Sequence, residues 1–116
     1  MLKHPRWEAE IRLMHSVFPQ FEPFAVPRAD AGFRGYLVGP RTRIAYQVLV
    51  RSRISDYPEK EPGVYMSPHP EAHHWILDNR LCYQRQGHTW NPAEDTFAQA
   101  LVLAAKYIAE FDGRSR

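Results

Sequence analysis

The chain has 116 residues, 44% of them hydrophobic and 24% charged, which suits one globular domain, residues 1–116, with one modest core. The formal net charge is only +2 and the arginines are scattered, so no nucleic-acid partner is expected. One cysteine excludes an internal disulfide and fits a reducing compartment, no apolar run approaches the ~18 residues of a membrane span, and the start MLKHPRWEAEIR has no signal-peptide core. The expectation is a cytoplasmic protein with no membrane partner.

Trp7, Ile11, Met14 and Phe18 recur at helical spacing and predict a helix over 5–18, opened by Pro5 and stopped by Pro19. Arg6, Glu8, Glu10 and Arg12 fall off that apolar stripe and read as a solvated face or a docking surface. Ten prolines favour short elements and shaped loops. Phe24 to Val26 and Gly32 to Val38 read as strands, and Gly39-Pro40 as a turn. Ile44, Tyr46, Val48 and Val50 alternate with Ala45, Gln47, Leu49 and Arg51, the strongest strand signal in the chain. Val64 to Met66 adds one more short strand, and an antiparallel meander is the simplest way to join them. Residues 67–91 show no period and read as a long ordered loop. Residues 92–112 then predict a helix capped by Asn91, with Glu94 and Asp95 in its first turn and Gly113 ending it. Its apolar stripe is Phe97, Leu101, Ala104, Ile108 and Phe111. The class is α+β: an N-terminal helix, an antiparallel meander of about four strands, a long loop and a C-terminal helix.

The long loop carries Cys82 and four of the six histidines: His69, His73, His74 and His88. Cys82 lies between Leu81 and Tyr83 among Arg, Asn, Asp, Gln and His residues. Polar, cationic surroundings favour a reachable thiolate, the nucleophilic form; a buried packing thiol is the alternative.

The order of elements, with these motifs, resembles the ubiquitin-conjugating (E2) family. Tyr57-Pro58-Glu59-Lys60-Glu61-Pro62-Gly63-Val64-Tyr65 is similar to its YPxxPPxVxF segment, with Glu61 in place of the first paired proline. Leu81-Cys82-Tyr83 is similar to the ICL triplet around its thioester cysteine. Trp90 follows Cys82 by eight residues, the family spacing, and Trp90-Asn91-Pro92 resembles WSP. Thr96 leads into the helix one residue later than usual. There are departures. The family's HPN asparagine lies eight residues before its cysteine, and that position here is His74; the literal His69-Pro70 lies three residues too far upstream. Gln84 stands where an acidic residue is common. The sequence ends after the helix that follows Cys82, where full-length members carry two more, so the likeness is to a minimal bacterial member of the kind associated with antiphage operons.

The resemblance implies a UBC-like fold and a cysteine-dependent acyl transferase. Cys82 would take, from an E1-like activating enzyme, the C-terminus of a ubiquitin-like protein, or of a target such as a cGAS-like nucleotidyltransferase, and pass it to an amine. His74 would supply the hydrogen-bond donor that the family draws from asparagine, with His73 and His69 as further candidates. Trp90 and Tyr57 would frame the active-site loop, and Arg6 and Arg12 on the first helix would dock the activating enzyme. Arg80, Arg85 and His88 are open between lowering the Cys82 pKa or contacting an acyl donor and being solvated loop charges. No cofactor is expected. Two other readings remain: a catalytically inactive UBC-like binding module, and a metal-binding domain built on His69, His73, His74 and Cys82. The metal reading is the weaker, because structural zinc generally uses paired cysteines.

Overall fold

The computed structural model describes residues 5–67, 76–77, 80–81 and 90–113. The elements run α1 (Trp7–Val17), β1 (Glu22–Ala25), β2 (Asp30–Val38), β3 (Ala45–Arg53), β4 (Gly63–Ser67), β5 (Ile76–Leu77), β6 (Arg80–Leu81) and α2 (Phe97–Phe111). The class is α+β, as the hydrophobic periods predict. No helix among the described residues is long and apolar enough to cross a membrane.

Four strands form an antiparallel meander, and two further strands of two residues each continue it in the order β1-β2-β3-β4-β6-β5. Those two short strands fall inside the stretch that the sequence predicts as loop; two residues are too few to leave a period. β3 alternates as its sequence does: Tyr46, Val48, Val50 and Ser52 are buried, while Ala45, Gln47, Arg51 and Arg53 are exposed. β1 begins at Glu22, not Phe24, and takes in Pro23, which an edge strand tolerates because its outer N–H is not needed. The turn predicted at Gly39-Pro40 joins β2 to β3. Gly39 N–H donates to Ile44 O (2.8 Å), Arg43 N–H to Gly39 O (3.0 Å), and Arg43 takes a left-handed φ of 63°.

One face of the sheet carries the core. Phe33, Val48, Val50, Val64 and Met66 meet Leu101, Ala104, Tyr107 and Ile108 of α2, with Met14 of α1 alongside. At one end of this core four rings interlock. Trp7 lies 5.2 Å from Phe33 and edge-on to Phe97 at 5.7 Å, while Tyr57 stacks on Phe97 at 5.3 Å. Such pairs add to the burial of their large apolar area.

Both helices start later than their sequence patterns suggest. α1 begins at Trp7 and ends at Val17, so Pro5 and Phe18 flank it. α2 begins at Phe97, capped by Thr96, whose Oγ1 accepts from Gln99 N–H (3.1 Å). The predicted cap Asn91 instead closes a preceding turn: its Oδ1 accepts from Ala93 N–H, and its carbonyl accepts from the Glu94 and Asp95 amides. Asn91 and Thr96 both carry capping chemistry. The turn takes the first and the helix the second.

At the far end of α2 the carboxylate of Asp112, 0% exposed, fastens the β2–β3 turn. It accepts four hydrogen bonds: from Thr42 Oγ1 (2.6 Å), Tyr46 Oη (2.7 Å), Arg41 N (2.8 Å) and Thr42 N (3.0 Å). Burial alone would raise its pKa, but the donors from Thr42, Tyr46 and Arg41 outweigh it and hold the carboxyl far below the usual range. The same arrangement works against Tyr46: burial, and then Asp112, push its hydroxyl up to about 12.

Candidate functional site

Cys82, His69, His73, His74, Arg85 and His88 lie outside the described residues, and so does any metal set drawn from them. The described residues form the frame from which that stretch departs and to which it returns. β6 pairs with β4 through Tyr65 and Arg80, so the backbone is tied to the sheet just before Cys82 in sequence. Eight residues after Cys82, Trp90 re-enters, and its indole N–H donates to the carbonyl of Pro58 (2.9 Å). The two segments that carry the family-like motifs therefore meet, joining the candidate support residues Trp90 and Tyr57 through Pro58. The Tyr57–Pro58 peptide is cis.

The base of the frame is built on Glu10. The sequence pattern places this residue on a solvated face; in the structure it is 2% exposed. Its Oε2 accepts from the Tyr57 hydroxyl (2.7 Å) and its Oε1 from the Phe97 amide (2.9 Å). One side chain thus links α1, the Tyr57-Pro58 segment and the start of α2. Position 10 is three residues after Trp7 and four before Met14, which is helical spacing for the buried stripe, so the signal was present. A carboxylate is readable as buried only when its donors are known, and these come from 47 and 87 residues away in sequence.

Burial raises the Glu10 pKa; the hydrogen bonds from Tyr57 and Phe97 and the charge of Arg6 only partly oppose it. Burial, followed by Glu10, pushes the Tyr57 hydroxyl far above its ordinary value. Tyr57 therefore keeps its proton and donates a hydrogen bond to Glu10 within the frame.

Arg6 is also drawn inward. Its guanidinium donates to Pro92 O and to Asp95 O (2.7 Å), and lies 5.8 Å from the Tyr57 ring centre. The exposed-face reading of Arg6 is corrected accordingly: its charge closes the turn after Trp90. Arg12 remains on the surface, 4.0 Å from Glu8, with both side chains largely in solvent, so this pair contributes little to stability. Asp95, which the sequence places in a helical first turn, is buried and accepts from Asn91 N–H (2.7 Å).

Chemically, this frame ties the described residues on either side of the cysteine in sequence to β4 and to the Tyr57-Pro58 segment. Comparison with known proteins finds no family model, no curated protein and no solved structure that matches the chain.

Proposed function

We propose that the chain is an E2-like conjugating enzyme that carries the C-terminus of a ubiquitin-like protein as a thioester on Cys82. The observation that favours this reading is the bond from Trp90 to Pro58, which ties the YPxxPP-like segment to the tryptophan eight residues beyond the cysteine. The element order, with an antiparallel meander before the cysteine and a helix after it, agrees with the same reading.

In the proposed reaction the Cys82 thiolate attacks the carbonyl of the modifier's thioester on an activating enzyme, and that enzyme's thiolate leaves. An acceptor amine then attacks the Cys82 thioester. An amide forms, the Cys82 sulfur departs as thiolate, and the amine releases its proton. Both steps pass through an oxyanion, for which His74 is the proposed donor; removing one such donor typically slows transfer on the order of 10²–10³-fold.

The test is charging with an activating enzyme, ATP and a ubiquitin-like protein. Wild type should give an adduct cleaved by reductant, Cys82→Ser an adduct that resists reductant, and Cys82→Ala none. His74→Asn should discharge its thioester at much of the wild-type rate, and His74→Ala should not. No reducible adduct on the wild type would end the enzyme reading and leave the inactive UBC-like module in its place, and an adduct kept by Cys82→Ala would remove Cys82 from the reaction. Stoichiometric zinc lost on His74→Asn would replace the enzyme reading with the metal site.

A further inference from the structure

Arg6 stands at the start of α1, whose exposed side carries the Glu8–Arg12 pair. It does not share that side. Its two terminal nitrogens divide between two carbonyls of one turn: Nη1 donates to Pro92 O, and Nη2 donates to Asp95 O at 2.7 Å. Both carbonyls lie ahead of the α2 ladder, which opens with Ala100 N–H donating to Thr96 O. A planar guanidinium offers donors at a fixed spacing, which suits two carbonyls at once better than the single nitrogen of an ammonium does.

The guanidinium is itself held in place. It lies 5.8 Å from the centre of the Tyr57 ring, which stacks on Phe97 and donates through its hydroxyl to Glu10. The turn is closed from within, because Asn91 N–H donates to Asp95 Oδ2 and Asn91 Oδ1 accepts from Ala93 N–H. The turn is joined to the frame by the Trp90 indole on Pro58 O and by Arg6 on Pro92 O and Asp95 O. Both attachments meet the same segment: Pro58 takes the indole, and its neighbour Tyr57 carries the guanidinium on its ring.

We propose that Arg6 is a positioning residue for the acyl transfer proposed for Cys82, setting the 90–95 turn against Tyr57 and Pro58, and not a docking cation for the activating enzyme. The inference rests on that reading of Cys82. A misplacement of ~1 Å, even one that starts far from the chemistry, can slow a reaction on the order of 10²-fold. A residue that places the first described turn after the cysteine in sequence therefore acts on the rate of the chemical step. A docking residue acts on the KM for the activating enzyme instead.

The two roles separate on one variant. Arg6→Gln should keep the wild-type KM for the modifier-charged activating enzyme. It should discharge a preformed Cys82 thioester to free lysine, with no activating enzyme present, about 10-fold more slowly. Arg6→Lys keeps a cation beside Tyr57 and should recover part of that loss. Asp112→Asn loosens the opposite end of α2 and should discharge like wild type below its thermal midpoint, which separates positioning from a general loss of stability. The Trp90 indole N–H, assigned in NMR spectra with Trp90→Phe, should exchange with solvent about 10-fold faster in Arg6→Gln, a readout that needs no chemistry at Cys82. Normal discharge by Arg6→Gln would overturn the proposal, and a raised KM beside it would return Arg6 to docking. An equal slowing in Asp112→Asn would also overturn it. A wild type that forms no reducible adduct ends the Cys82 reading alone. Indole exchange then decides: an unchanged rate in Arg6→Gln would remove Arg6 as the support of the turn, and a faster one would keep it.

Discussion

Glu10 and Asp112 are both buried carboxyl groups, one at each end of α2, yet their surroundings drive their protons in opposite directions. Glu10 meets two donors, the Tyr57 hydroxyl and the Phe97 amide, and burial dominates. Asp112 meets four, and the donors dominate. In this pair the direction follows the balance between desolvation and the hydrogen bonds offered to the ionised form: two do not outweigh it at Glu10, and four do at Asp112. The difference also separates two jobs. Asp112 clamps a turn to a helix end, while Glu10 joins three segments around the frame of the candidate site.

The strongest way to break the comparison is to remove each group. Asp112→Ala would leave the Thr42 and Tyr46 hydroxyls and two turn amides without their acceptor. Its thermal midpoint should fall on the order of 10 °C or more by calorimetry. Glu10→Ala strands only the Tyr57 hydroxyl and the Phe97 amide and should cost about 2–4 kcal/mol in urea unfolding. A larger midpoint loss for Glu10→Ala than for Asp112→Ala would reverse the ranking.

Much of the fold was legible in the sequence because its signals are local. Tyr46, Val48 and Val50 follow a period of two, and Leu101, Ala104 and Ile108 a helical period, and both survive packing unchanged. The frame was legible only in part. Tyr57 and Trp90 stood out by motif and meet through Pro58. Glu10 and Asp112 did not stand out, and Arg6 stood out as a docking cation and not as an inward-turned one, because a charged side chain reads as solvated until its long-range partners are known. The start of α2 was misplaced because Asn91 and Thr96 offer the same local chemistry, and the choice rests on Glu10 receiving the Phe97 amide across the domain.

The pH dependence sharpens the comparison with smaller effects. A carboxyl held below its ordinary pKa, as Asp112 is, contributes stability that is complete above about pH 4 and is lost as pH falls toward its folded value. Asp112→Asn should therefore flatten the acid limb of a stability–pH curve measured between pH 5 and 2. Glu10 has the opposite sign. Its raised pKa favours folding below the ordinary value of 4.5, and that contribution is lost as pH rises through the folded value. The stability of Glu10→Gln relative to wild type should thus be more favourable at pH 7 than at pH 4. A constant difference across that range would mean that Glu10 titrates normally.

The smallest expected effect is that of Tyr57→Phe, which keeps the ring stacked on Phe97 and removes one hydroxyl. About 1 kcal/mol of stability should be lost. The Glu10 carboxyl should titrate at still higher pH in a carbon-13 NMR experiment, because a bond that stabilised its ionised form is gone. An unchanged value would show that the Phe97 amide and Arg6, not Tyr57, oppose the burial of Glu10.

Pro23 has a further consequence for how copies of this chain meet. β1 is four residues long, lies at one border of the sheet, and offers no N–H at Pro23. A neighbouring backbone seeking to extend the ladder there finds an interrupted row of donors, a common protection against edge-to-edge polymerisation. Replacing this proline would restore one donor to that border and turn a closed margin into a template for self-assembly.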